Sequence, residues 1–84
     1  MGKVYTYEQR LGLGIIAAHN IGVSVNGLEL AEDIIIRKKH IDPCSILWFE
    51  QCFIAAHEEV AKGGQSKVDL ANAEIRKIIN EHLN

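Results

Sequence analysis

The chain holds a single proline, and it follows an aspartate at Asp42-Pro43. An aspartate side chain can accept the free N–H groups of a helix start, and a proline at the first helical position gives up no bonded N–H. The next breakers downstream are Gly63 and Gly64. A helix is therefore expected from Pro43 to about Lys62, ended by Gly63-Gly64-Gln65.

The same punctuation divides the remainder. Thr6-Tyr7-Glu8-Gln9 has capping-box spacing, and Tyr7, Leu11, Gly14, Ile15 and Ala18 share one helical face behind it, with Gly22 as a stop. Glu8, Gln9 and His19 lie off that face. Gly12 and Gly14 each cost a helix about 1 kcal/mol relative to alanine, and the Gly14…Ala18 spacing predicts close approach by another backbone. After Gly64, Ser66 and Asp69 open a last helix whose seam is Val68, Ala71, Ile75, Ile78, Ile79 and His82.

Residues 23–30 admit two readings. Val23 to Leu30 alternates around Asn26-Gly27, a hairpin signal. Alternatively Asn26 caps a helix with Glu29 at its third position. That helix runs to about His40 with Leu28, Leu30, Ala31, Ile34, Ile35 and Ile41 on one arc, and Asp33 and Arg37 pair at i, i+4. The helix is preferred, because a hairpin with three-residue arms needs further strands and none is visible. The expected fold is all-α, a small four-helix bundle-like domain covering residues 1–84, with α+β as the alternative.

Composition bounds the class. A chain of 84 residues and net charge −2 would bury about 63% of its surface, enough for one core. Hydrophobic residues at 48% and charged residues at 24% are ordinary globular values. There is no basic excess for bulk nucleic-acid binding. No apolar run approaches a membrane span. The start, Met1 to Thr6, lacks the apolar region of a leader, and Gly2 is read as a start-codon glycine rather than a myristoylation site. Cys44 and Cys52, eight apart, would stand about 12 Å apart on one helix, beyond disulfide reach. Free thiols and a cytoplasmic location are expected.

No catalytic or metal-binding set emerges. His19, His40, His57 and His82 have no metal-ligand spacing, and His57-Glu58-Glu59 lacks the second histidine of a zinc helix, since Ala61 stands there. Cys52 and His57 point about 140° apart on a helix wheel of 3.6 residues per turn. No glycine-rich phosphate loop follows a strand. The expectation is a protein that is not an enzyme and carries no cofactor.

The third helix is the most informative stretch. Ile46, Phe49, Phe53, Ala56 and Val60 make its main apolar face, with Cys52 at the edge. Leu47, Ile54 and Ala61 form a second stripe, with Glu50 and His57 between the two, and Trp48 with Ala55 points in a third direction. Either this is the bundle's central helix, or one stripe meets a partner. The preferred function is a small cytoplasmic accessory or regulatory protein, of a sort encoded by bacteria or their phages. It would bind protein through apolar helix faces and self-associate, using Leu47, Trp48 and Ile54 with Ile75, Ile78 and His82 from the last helix.

The alternative is DNA binding. Ala18-His19-Asn20-Ile21-Gly22-Val23-Ser24 resembles the turn of helix-turn-helix modules over seven residues, which implies a following helix in the major groove. That helix, from Val25, would carry three acids and neither arginine nor lysine. Arg37, Lys38 and Lys39 are the candidate phosphate contacts. Their competing role is to place positive charge at a helix C-terminus.

Overall fold

Local hydrogen bonding starts the first helix where the capping box predicts. In a computed structural model that describes residues 4–84, Thr6 Oγ1 accepts from Gln9 N at 3.1 Å while Gln9 Oε1 accepts from Thr6 N at 2.9 Å. Met1, Gly2 and Lys3, on which the readings of a leader and of myristoylation partly rest, lie outside the described residues. Helix α1 spans Tyr7–Asn20. Its end is closed by Val23 N bonding Ala18 O at 2.9 Å around Gly22, whose φ is +95°.

Helix α2 spans only Leu28–Ile35, and the described residues contain no strand, so the hairpin alternative falls. The helix differs from expectation at both ends. Its cap is Gly27, at φ +80° with no side-chain cap bond, rather than Asn26. A residue with a side chain is strained at that φ. A β-carbon at Gly27 would also lie 3.3 Å from Cys52 Sγ, so α2 begins where the chain passes close under α3. The far end stops at Ile35 instead of continuing to His40, because Lys38 takes a left-handed backbone at φ +59°. Its ammonium turns back to donate to Ile35 O at 3.0 Å and also donates to His82 O. Lys39 N then bonds Asp33 O at 2.9 Å. The predicted Asp33–Arg37 pair forms at 2.8 Å.

Asp42 behaves as its position before proline implies. Its Oδ1 accepts from Cys44 N at 2.9 Å and opens one 3₁₀ turn, Pro43–Ser45, which leads directly into α3 at Ile46–Lys62. Helix α4, Gln65–Ile78, begins after Gly64 without a side-chain cap, one residue before the expected Ser66. It widens into a π turn over Ile79–Leu83.

The central helix is α1, not α3. Leu11, Gly12, Leu13, Ile15, Ile16, Ala17 and Ala18 are all buried, positions that cover about 260° of the helix at 100° per residue. The other three helices each pack against α1. Helix α3 buries only Phe49, Cys52, Ala56 and Val60, one stripe. At Gly14 the close approach is made by a side chain rather than the expected backbone, whereas at Gly12 both the Ile35 side chain and the Ala31 carbonyl of α2 come near. A β-carbon at Gly14 would sit 2.4 Å from Phe53 Cε1, and one at Gly12 would sit 3.2 Å from Ile35 Cγ1. The loss of helix propensity at these positions allows α3 and α2 to close on α1.

Two polar ties fix the loops and helices across long sequence separations. Tyr7 Oη donates to Glu50 Oε2, joining α1 to α3. Glu8 Oε2 accepts from Ile41 N at 2.9 Å and holds the segment that leads into Pro43. The resulting body measures 32 × 31 × 19 Å, a slab about two helices thick at the usual 8–10 Å helix spacing.

Phe49 is fully buried at the junction of α1, α2 and α3. Phe49→Ala is expected to cost about 3–5 kcal/mol in urea unfolding, a large share of the roughly 4–13 kcal/mol available to a chain of this length. Leu47→Ala, on the same helix but facing out, should change stability by less than about 0.5 kcal/mol.

Candidate functional site

Helix α3 presents its apolar excess on one part of its outward side. Leu47 is 71% exposed, Trp48 55% and Ile54 39%. On a wheel of about 100° per residue, these three span an arc of about 120° that also holds Gln51 and Ala55. Further along the same arc come Glu58, Glu59 and Lys62, with Lys62 Nζ paired to Glu59 Oε1 at 2.9 Å. That pairing lowers the Glu59 carboxyl below its ordinary value and raises Lys62. The outward side of α3 is thus apolar in its first half and charged in its second. Trp48 also borders a shallow hollow at the α2 start, where Leu28 and Leu30 stand with Glu29 and Asp33, so the surface beyond α3 there is mixed apolar and acidic.

The last helix contributes differently from expectation. Ile78 is 5% exposed and belongs to the main core, with Ile75 packed against that core. His82 is half-buried, and its carbonyl receives the Lys38 ammonium. The seam of α4 therefore faces α1, and of the six residues expected at a partner surface only Leu47, Trp48 and Ile54 lie together on the outside. Exposed large apolar side chains elsewhere among the described residues are Val4 ahead of α1, Tyr7 on α1, Ile36 just past α2 and Leu70 on α4.

The basic cluster is engaged within the chain. Arg37 bonds Asp33, Lys39 Nζ stands 4.0 Å from the same carboxylate, and Lys38 caps α2. Helices α1 and α2 are joined by residues 21–27, whereas helix-turn-helix connections use three or four residues. The second helix bears Glu29, Glu32 and Asp33.

A separate concave site lies between α3 and α4, with α1 as its floor. It encloses about 380 Å³. Leu13 and Gly14 form the floor, Phe53 and Val60 one wall, and Val68, Ala71, Ile75 and Ile79 the other. Tyr5, Arg10, His57 and Asn72 stand at its edge, and no carboxylate lines it. The His57 ring stacks on Phe53, with centroids 5.9 Å apart and planes 17° from parallel. The Arg10 guanidinium lies 6.0 Å from the Tyr7 ring centroid and has no ion-pair partner among the described residues. Sequence periodicity did not reveal this groove, since it needs the relative placement of three helices. The one available signal was Gly14, which marks where the Phe53 ring comes against α1.

Chemistry-bearing residues are otherwise dispersed. Among the described residues no three histidines, cysteines or acids gather as metal ligands. Cys44 and Cys52 are both free, the first exposed and the second buried. Burial raises the Cys52 thiol above its ordinary pKa, because the thiolate is the form that loses hydration. His57 lies on the groove side, whereas Cys52 faces Gly27, so the two are not brought together. No described helix is long and apolar enough to cross a membrane. Compared with known protein families, curated proteins and solved structures, the chain matches none.

The two thiols should separate cleanly in reactivity. With a disulfide reagent at mildly alkaline pH, one equivalent per chain is expected to react rapidly and to vanish in Cys44→Ala. The second should react at the rate at which the core opens, and become fast in denaturant.

Proposed function

We propose that this protein acts by binding protein, beginning with a second copy of itself, through the outward first half of α3. The observation that carries this reading is the adjacent exposure of Leu47 and Trp48 on a helix whose inward stripe already completes the core. A contiguous apolar patch that the monomer does not need marks an interaction surface, and tryptophan is among the residues that most often dominate such contacts. Charged residues occupy the second half of the same arc, which gives the patch a polar border like the rim of an interface.

A symmetric pairing suits the geometry. A two-fold axis near Leu47 would lay the α3 helix of one protomer across that of its partner, with each Trp48 meeting the hollow lined by Leu28 and Leu30 on the other. A lasting interface needs roughly 800 Å² per partner, and the α2 start beside Trp48 supplies area that three side chains alone lack. A small core gains stability by such pairing. The proposed role is that of a cytoplasmic accessory or regulatory factor, with binding rather than catalysis as its action.

Light scattering and sedimentation across low to high micromolar concentration test the reading. A dimer is expected, with Trp48 fluorescence shifting to shorter wavelength as it forms. Trp48→Ala should weaken pairing by about 30-fold or more, the scale of a hot-spot residue, without lowering the unfolding midpoint of the monomer. A wild-type chain that stays monomeric at high micromolar concentration, and loses no partner on Trp48→Ala, overturns it.

A further inference from the structure

The groove between α3 and α4 has the composition of a ligand site, and it lies on a different side of α3 from the Leu47–Trp48 surface. We infer that it binds a small amphipathic monoanion, an unbranched carboxylate whose apolar tail lies along the groove and whose carboxylate meets Arg10. Three observations converge on this class.

Size comes first. About 380 Å³ falls near the lower end of the range of small-molecule sites, roughly 300–1,000 Å³. Two turns of a protein helix 10–12 Å across displace more than that. A single extended hydrocarbon tail fits where a helix does not.

The walls come second. Leu13, Phe53, Val60, Val68 and Ile75 offer a tail only carbon atoms. Gly14 lies in the floor, and the absence of a β-carbon there lets the Phe53 ring, one wall of the groove, lie directly against α1. A tail buried here gains about fourfold in affinity per methylene removed from water, so a chain of about ten carbons can bind with useful affinity.

Charge comes third. The chain is net negative, yet no acid lines the groove and its one formal charge is the Arg10 guanidinium. That group lies over the Tyr7 ring and has no ion-pair partner among the described residues, so its N–H donors meet no anion within the chain. Arginine engages a carboxylate in a bidentate manner, which a point charge does not. Asn72 and His57 also line the groove and carry N–H groups that can donate hydrogen bonds. The Glu50 carboxylate near this end accepts from Tyr7 and does not line the groove.

Calorimetry and proton NMR with decanoate, kept below its micelle concentration, test the assignment directly, with 1-decanol and decylammonium as matched probes. Decanoate should bind with one-to-one stoichiometry, shift the His57 and Phe53 ring resonances, and bind at least about fivefold more tightly than decylammonium, since a well-placed charge contact is worth about that much. Arg10→Gln should weaken decanoate about fivefold and leave decanol unchanged. Val68→Trp, which adds bulk to a half-buried wall, should abolish binding of all three probes while circular dichroism shows the helices intact. If that variant unfolds, Asn72→Trp at the exposed edge serves the same purpose. No binding of decanoate overturns the site, and equal binding of decanoate and decylammonium overturns the anionic class. Decanoate affinity that survives both tryptophan variants in folded protein overturns the location.

Discussion

The whole fold depends on enclosing α1. Seven consecutive-turn residues from Leu11 to Ala18 are buried around the helix rather than along one stripe, which is possible only if neighbours cover it on several sides. An 84-residue chain has enough material for one such sheath. Helices α2, α3 and α4 therefore each give one face to α1 and keep the other for solvent. Gly12 and Gly14 make the arrangement close, because α2 contributes Ile35 and α3 contributes Phe53 at the very points where α1 has no β-carbon. A helix-destabilising residue in isolation is thus a packing requirement in the folded chain.

How much of this was legible in the sequence follows from the range of each interaction. The starts of α1 and of the Pro43 turn are made by bonds between residues two or three apart, Thr6 with Gln9 and Asp42 with Cys44. Those were readable. The length of α2 was not, because its end is set partly by Lys38 reaching the carbonyl of His82, across 44 positions. The identity of the central helix was hidden for a similar reason. Helix α3 has two apolar stripes and looked central, while α1 has small residues and glycines that mask how fully it is buried. Stripe counting measures apolar content, whereas burial depends on which neighbours arrive. The inward and outward stripes of α3 were correctly separated by periodicity alone, and the outward one, Leu47 with Ile54, is where the structure exposes it.

The seam of α4 shows the converse. Ile75 and Ile78 have the same spacing and chemistry as residues of an exposed patch, and nothing local distinguishes an internal seam from an external one. The distinction comes from α1, which the seam covers. Arg37, Lys38 and Lys39 follow the same logic. A basic run at a helix end suits either phosphate groups or the carbonyls and carboxylates already nearby. In this chain Asp33, Ile35 and His82 lie within reach and take those hydrogen bonds.

The distribution of isoleucine finally shows what the apolar content is for. Twelve isoleucines occur in the chain. Ile15, Ile16, Ile34, Ile35 and Ile78 are buried, five others are half-buried, and only Ile36 and Ile54 are exposed. Ile16, which lies on a second face of α1, is interior because α2 and α4 meet over that face. Isoleucine is therefore mostly consumed by the core. The outward surface is instead marked by Leu47 and Trp48, placed on a helix whose inward face is already complete. Since neither contributes to enclosing α1, their exposure is not a by-product of a core too small to hold them. Leu70 on α4 is exposed as well, but it has no exposed large apolar neighbour on its helix, whereas on α3 Leu47 and Trp48 are adjacent and are followed along the same side by Glu58, Glu59 and Lys62.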